Sequence, residues 1–580
     1  MTKTSAVLRG SRVVSLALAA AMTVGVPAGS QTASQITPPT FRPELPRVGG
    51  AVVFSGAPGL DAPPGSDRLS ITLSGLSVEG GRPELAAAEA ATEARLVGGP
   101  VAVSELFAAA RDLEAAYANA GFVLVRVTLP PQELRDGGQL RLVLVDGFVE
   151  RVDTGQLPPA VRGRAEAVLA PLVGRRGLRL SEIERQLLIV GDTPGVALRS
   201  TLSAGREPGG TVLTLEARYR PVTGFVSLDN TLASDLGRWT VGLGLDANSL
   251  LGRGETFYLR AFGYPGFGSD GFFGSDPLQR IIAGGVVFPI GTDGLTFNLE
   301  YTDSRTTPKA SRKSAETASD FERLTVGVGY PIIRTLPLEV TARLSFDAQS
   351  EDQWLRNPYA MLYSDDLRIL RLTGEATWRR DSGAELSGRA ILSFGLDAFG
   401  ARTQNDVGPN DPPLSREGAD ASFQKLEVAV GYTQPLRGPF GLNLFARGQT
   451  SFGEPLALSE QIGIASFEEL STFDAGTIGG DQGYIVRADL TATHAIERWR
   501  VPVILTPYVF AATGAVYLEQ PTALEQRSTH ASSFGIGLDL TAVRDPDFSD
   551  ASITVEFGRG LRDDDEPDEN RFTLVAAFRF

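Results

Sequence analysis

Few residues in this chain could break or make a covalent bond. There are two histidines, His494 and His530, and no cysteine. One histidine falls at a strand end beside a short turn, the other in a loop expected on the opposite rim. They do not meet, and without thiolates they make no metal site. The acidic run "RDDDEPDEN" at 562–570 reads as a solvated loop. Glycine pairs recur, yet never between a strand and a helix in the pattern that cradles phosphate. No catalytic residue, metal or cofactor is assigned. The residues with positional meaning are turn glycines, strand-end aromatics and charges placed on alternating faces.

Composition narrows the class. The chain has 580 residues, 65 of them glycine, and a formal net charge of −15. Lys3, Arg9 and Arg12 followed by the apolar stretch 13–26 and the small residues at 28–30 predict a cleaved signal peptide over 1–30. Its removal takes away three positive and no negative charges, so the formal charge goes from −15 to −18. An acidic, exported chain without cysteine has no disulfide framework and is a poor ligand for nucleic acid. Mean hydropathy is near zero. That value suits a soluble protein, but also a membrane β-barrel, whose strands alternate apolar and polar residues.

Composition and periodicity divide the rest of the chain into four parts. Prolines and glycines crowd 31–68, which reads as an extended linker with little room for a helix. Two mixed α/β modules follow, at 69–151 and 152–220, each in the order β-α-α-β-β. In the first, "VSELFAAARDLEAAYANAGF" predicts an amphipathic helix with Ser104 as N-cap, an apolar stripe of Leu106, Phe107, Ala110, Leu113 and Tyr117, and Gly121 as its stop. In the second, Ser181 and Glu184 have capping-box spacing.

From 221 to 580 helical periodicity vanishes and strands alternate. In "RWTVGLGLDAN" Trp239, Val241, Leu243 and Leu245 oppose Thr240, Gly242, Gly244 and Asp246. The same period runs through "LTFNLEYT", "GYIVRADLTAT" and the final "RFTLVAAFRF". Sixteen strands are counted. Long connections, at 264–277, 303–320, 350–366, 397–420 and 453–482, alternate with tight turns such as "GTDG", "RDSG" and "LRGP". Long loops on one rim and short turns on the other predict a 16-stranded outer-membrane β-barrel preceded by two small α+β domains. Lipid allows no open sheet edge, so the last strand must meet the first.

This layout resembles the two-partner secretion transporters of the TpsB type, the haemolysin and filamentous-haemagglutinin secretion and activation proteins. The resemblance covers the chain from about Leu69 onward and identifies the two modules as similar to POTRA domains. A stretch like "ER.LL...D.PG" in the second module is matched by Glu184, Arg185, Leu187, Leu188, Asp192, Pro194 and Gly195. The terminal Phe578 and Phe580 are similar to the sorting signal read by barrel-assembly machinery. The longest loop implies a segment folded back into the lumen, with a V-R-G-Y/F tip ahead of a "GD.G" turn. That turn is Gly480, Asp481 and Gly483. Counting back places the tip at Leu470, Ser471, Thr472 and Phe473, followed by Asp474 and Gly476. The wall motif "F.D.G" falls on Phe510, Ala512 and Gly514. The arginine position thus holds Ser471 and its aspartate partner holds Ala512. Loss of both is coherent, since one buried charge left alone costs about 3–5 kcal/mol. The loop is therefore expected to be held by packing of Phe473 and by turn glycines, with a looser tip. A plug helix is expected to be short or missing.

The resemblance implies transport of a large unfolded exoprotein of the TpsA type, an adhesin or haemolysin, from periplasm to cell surface. The POTRA domains would capture it in the periplasm by strand addition, and the lumen would conduct it. The implied partners are that exoprotein, outer-membrane lipid and the barrel-assembly machinery. No nucleic acid, no enzymatic activity and a monomer are expected. An assembly factor of the same superfamily and a passive pore are the alternatives.

Overall fold

The computed structural model describes residues 31–43, 53–54, 61–310, 315–496, 501–523, 525–564 and 566–580. The expected signal peptide lies outside them. From 222 onward antiparallel strands close into a barrel, beginning with Val222–Asp229 and ending with Glu569–Arg579, which pair with each other. With Gln482–Ala492 and its continuation His494–Ile496 counted as one, there are sixteen, as the alternation predicts.

Alternation decides which face each side chain takes. Trp239, Val241, Leu243 and Leu245 are exposed on the outer wall and Thr240 is buried. Leu299 and Tyr301 face out, whereas Asn298, Glu300, Thr302 and Ser304 line a filled interior. The lumen wall is polar: Arg323, Asp347, Glu351, Lys425, Arg487, Glu556 and Arg571 are all buried there.

Connections of unequal length sort to opposite rims. The long-loop rim carries 264–278, 396–423 and 451–481, and the short-turn rim carries 291–294, 380–384 and 436–439. One expected long loop is not there. Leu338–Arg356 and Tyr359–Arg379 run on as a hairpin, registered from Leu338↔Trp378 to Arg356↔Tyr359, so 350–366 is strand with a two-residue turn. Its polar residues alternate just as the wall below them does. The 303–320 loop is likewise shortened, because its flanking strands reach Thr306 and start again at Thr317.

Each α/β module is a four-stranded sheet covered by helices. The first orders its strands Pro100–Ala102, Ser70–Glu79, Gly138–Val145, Arg126–Thr128. Helix Val103–Asn119 buries Leu106, Ala109, Ala110, Leu113 and Tyr117 against it. Phe107 is only half-buried, because Ala109 lies nearer the centre of the buried face. Ser104 is not the cap: the helix begins at Val103 after an extended Ala102. The second sheet orders Val53–Phe54, Val196–Ala204, Gly210–Tyr219, Phe148–Gln156, and its last-named strand starts at Phe148, ahead of the 151/152 boundary. In helix Leu180–Gly191 the Glu182 carboxylate accepts the Arg179 N–H at 2.9 Å. This displaces the expected Ser181–Glu184 box by two residues. The proline-rich stretch is no free linker: Val53–Phe54 pairs in parallel with the second sheet through Thr201 and Leu202.

The "ER.LL...D.PG" residues dock this second module on the short-turn rim. Leu187 and Leu188 are buried within the module. Glu184 takes the N–H of Leu336. Arg185 donates to the carbonyls of Pro331 at 2.9 Å and Asp293 at 3.1 Å. Asp192 accepts from both Nε, at 3.1 Å, and Nη2 of Arg334 at the end of strand Thr317–Arg334. Gly195 has φ +70°, and a Cβ there would meet the Arg220 carbonyl at 2.3 Å. On the other side Arg218 pairs with Asp545 and, at 3.0 Å, with Asp547. Burial pushes the Asp192 carboxyl up to about 6 against the pull of Arg334. Arg334→Ala is expected to loosen this docking at neutral pH by about 3–5 kcal/mol, since it strands a buried charge. Arg334→Ala with Asp192→Ala should lose less. The single variant's defect should shrink as pH falls, and should do so already above the parent value of about 6, because without Arg334 nothing offsets the burial that favours the protonated Asp192, and the proton removes the stranded charge. Distances between spin labels on introduced cysteines, read across pH, check both statements.

Candidate functional site: the filled lumen

The segment 451–481 leaves the long-loop rim and folds back into the barrel. A two-residue ladder, Ile462–Gly463 with Gly479–Gly480, narrows it into a hairpin. Its apolar residues Ile462, Ile464, Leu470, Phe473 and Ile478 pack on Ile485, Ala512, Val516 and Ala531 of the wall. The tip is deeply set: Leu470, Ser471, Thr472 and Phe473 are all within 3% of full burial. Ser471 accepts Thr573 Oγ1 at its carbonyl, 3.2 Å, and its buried hydroxyl has no partner among the described residues. Thr472 shares a hydroxyl hydrogen bond of 2.8 Å with Ser533. Gly476, at φ +79°, turns the chain back.

Packing does not act alone: to the expected hold by Phe473 and turn glycines the structure adds ion pairs. Four loop carboxylates meet basic groups of the wall or of a neighbouring loop. Glu460 takes Arg371 at 2.7 and 3.0 Å and Lys425 at 2.9 Å. Glu469 takes Arg447 through both oxygens, at 2.7 and 2.9 Å. Asp474 pairs with Arg571. Asp481, fully buried in the "GD.G" turn, takes Arg416 at 2.8 Å, the N–H of Leu456 at 3.0 Å and that of Glu519 at 2.7 Å. It thereby ties three segments of the long-loop rim together. Carboxylates accepting charge-assisted bonds on several lone pairs are the form in which buried charge is tolerated. The polarity is the reverse of the resemblance's pattern. There the loop brings the arginine and the wall the aspartate; here the loop is acidic and the wall basic.

The "F.D.G" positions lie beside this contact but carry no charge. Ala512 joins the apolar cluster. Phe510 lies under the Arg487 guanidinium, 4.5 Å from ring centroid to Cζ. Gly514 has no room for a Cβ, which would fall 2.5 Å from the Tyr484 carbonyl. Arg487 itself donates to the loop carbonyl of Phe467 at 3.0 Å and to Glu556 at 2.6 Å. Gly483 is the second residue of the strand beyond the turn, Gln482–Ala492. Phe578, by contrast, is exposed on the outer wall and stacks on Phe580, centroids 6.0 Å apart, far from the lumen.

Two glycines that sequence reasoning missed receive the tip. A Cβ on Gly560 would lie 2.5 Å from the Phe473 ring, and one on Gly558 2.8 Å from Thr472. "FGRGLR" in an alternating strand was the available signal, since glycines two apart share one face. A second body shares the lumen. Residues 31–43 run through it without an α-helix, with one 3-10 turn at Ser34–Ile36. Gln31 donates to the loop carbonyl of Ala475 and accepts the Ala233 N–H at 3.4 Å. The segment leaves beside a cavity of about 90 Å³ lined by Arg42, Pro43, Asp192, Pro194 and Arg334.

These contacts generate two expectations. Glu469→Arg and Arg447→Glu should each destabilise the seated loop by about 3–5 kcal/mol, and the combined swap should recover most of that. Gly560→Val should dislodge Phe473 while leaving the ladder intact. Protease cleavage within 464–478 of the folded barrel reads both, and a swap no better than either single change would refute the pairing.

The chain is similar to known proteins. Residues 209–540 match the family described as haemolysin secretion/activation protein ShlB/FhaC/HecB, and residues 71–147 match the POTRA domain, ShlB-type. The heme/hemopexin transporter protein HuxB of Haemophilus influenzae (strain 86-028NP) is 21% identical over 82% of this chain and 81% of its own. The hemolysin transporter protein HpmB of Proteus mirabilis is 22% identical over 70% and 69%. Among solved structures, CdiB from Escherichia coli superposes with a TM-score of 0.67 at 19% identity, covering all of both chains. CdiB from Acinetobacter baumannii gives 0.58 at 15%, covering 100% and 99%. The first family match spans more than half of the sequence, so this chain belongs to the haemolysin secretion/activation proteins, the outer-membrane transporters of two-partner secretion.

Proposed function

We propose that the chain carries one large unfolded exoprotein of the adhesin or haemolysin class outward through its own barrel. The observation that supports this most is the filling of the lumen. A polar bore closed by a loop and a tail, both joined to the wall by reversible polar contacts, is suited to opening. The α/β modules stand in the periplasm in this reading, and the second is held at the mouth by Arg185 and Asp192. Its sheet edge at Val196–Ala204 is the natural place for a substrate strand to add, and Val53–Phe54 already lies there, so an incoming strand displaces it. Phe578 and Phe580 serve recognition by the assembly machinery. The protein acts as a monomer, in contact with lipid along its outer wall, and the substrate's folding outside the cell supplies the driving force. No step calls for an enzyme.

Quantitative proteomics of a deletion strain tests this. The medium should lose one large protein, with the outer membrane unchanged, and a plasmid copy should restore it. A broad fall in barrel proteins would instead make this an assembly factor. No change in either fraction under conditions where the partner gene is transcribed would leave a passive pore.

A further inference from the structure

The tail at 31–43 is held in an unusual way. The wall addresses its main chain at six points. Thr306 Oγ1 donates to the carbonyl of Gln31 at 3.2 Å. Ser304 Oγ donates to the carbonyl of Ala33 at 3.3 Å, and Ser319 Oγ accepts its N–H at 3.3 Å. Glu351 Oε1 accepts the N–H of Ser34 at 3.3 Å. Arg323 Nη2 donates to the carbonyl of Pro38 at 2.8 Å. Glu300 Oε2 accepts the N–H of Phe41 at 3.0 Å. These six wall residues stand on the inner faces of three neighbouring strands, Leu295–Thr306, Thr317–Arg334 and Leu338–Arg356, and all are buried.

Side chains of the tail are held as well: Gln31 bonds the Ala475 carbonyl and the Ala233 N–H, and Thr32 bonds Glu351 and Tyr363. Ser34 and Thr40 hydroxyls reach Glu351 and Glu300, and Phe41 packs on Tyr258 and Ile281. Main-chain donors and acceptors are common to every polypeptide, apart from the N–H that proline lacks. A wall that addresses them is therefore nearly indifferent to sequence. Glu300 and Glu351 also lose an N–H partner when the tail departs, and any chain entering beside them can supply another.

Resting on the secretion reading above, we infer that Glu300, Ser304, Thr306, Ser319, Arg323 and Glu351 form a main-chain-reading track for an unfolded polypeptide. The tail is its resting occupant, and the transported chain replaces the tail on the same groups. Selectivity for the exoprotein then resides elsewhere, because the track accepts extended chains as a class.

The test uses the full-length protein in planar lipid bilayers. Ser34→Pro with Phe41→Pro removes the two N–H groups that Glu351 and Glu300 accept, and should raise the open probability about tenfold. Three probes are then added: a synthetic copy of residues 31–43, a scrambled peptide of the same composition, and the copy N-methylated at the positions of Ser34 and Phe41. The first two should close the channel at concentrations within about threefold of each other, and the N-methylated copy should need about tenfold more. A scrambled peptide about tenfold weaker than the copy would show that Phe41 and its neighbours are read instead, and would overturn the inference. So would an N-methylated copy of equal potency, or a double-proline channel as quiet as the parent. Should that variant fail to assemble, Ser304→Ala with Ser319→Ala and Thr306→Val removes three wall partners without touching the tail, and the same rise in opening is expected. A channel that answers the peptides as described while the medium of the deletion strain is unchanged would sink the secretion reading alone. Loss of the exoprotein from that medium together with peptide insensitivity would sink the track alone.

Discussion

Main-chain hydrogen bonding across the closing seam is the interaction on which this structure rests. A sheet in lipid must have no free edge. Here the first and last strands are registered over five residues, Val575–Arg579 against Asp229–Phe225, with Phe580 and Gly224 exchanging two main-chain bonds of 3.0 Å at one end and the Asn230 N–H donating to the Leu574 carbonyl at 3.2 Å at the other. Beyond them the Asn230 side chain stands in for a missing strand, donating to the Phe572 carbonyl at 3.1 Å and accepting the Leu574 N–H at 2.8 Å. Arg571 continues the work from the inside, donating to the carbonyls of Asn230 and Thr231 at 2.9 Å each. The same guanidinium pairs with Asp474 of the lumenal loop, and the loop's Ala475 N–H reaches Thr231 at 3.0 Å. The loop thus occupies the bore and also fastens the two strands that complete the wall.

That double duty explains why the loop is so heavily charged. An apolar plug would seat well but would take the loop carboxylates away from Arg371, Arg447 and Arg571, leaving Arg371 with Asp347, Arg447 with Glu427 at 3.5 Å and Arg571 with main-chain carbonyls. Carboxylates at 460, 469 and 474 satisfy them when the loop is in, and water can do so when it is out. Ion pairs of this kind make two states of comparable free energy more easily than a packed hydrocarbon core does. Docking of the second α/β module through Asp192 and Arg334 follows the same logic at the mouth of the bore.

Much of this was legible from residue order. Alternation placed Trp239, Tyr301 and Tyr484 on the outer wall and Glu300 and Arg487 on the inner one, because strand geometry leaves each residue only two faces. A bare count back from Gly480 reached Leu470–Phe473. The partners that hold that tip were not legible. Arg371 lies 89 residues from Glu460, and Arg571 lies 97 from Asp474, and only the closed barrel brings them together. The hairpin at 350–366 read as a loop because its polar residues continue above the band where one face must be greasy. The proline-rich 31–43 read as a linker because proline excludes helix, whereas the wall asks only for a chain with accessible amides and carbonyls.

The bore is obstructed by two bodies, not one. The widest path through the bore requires loop and tail both to be away. If the two moved independently, the leaking fraction would be the product of two small populations. Gln31 joins them at Ala475, so departure of one weakens the other, and the two clear the bore more nearly together than chance would have it. A wide pore can then stay tight to small toxic solutes for most of its life, and yet give way at once when a polypeptide takes the place of the tail.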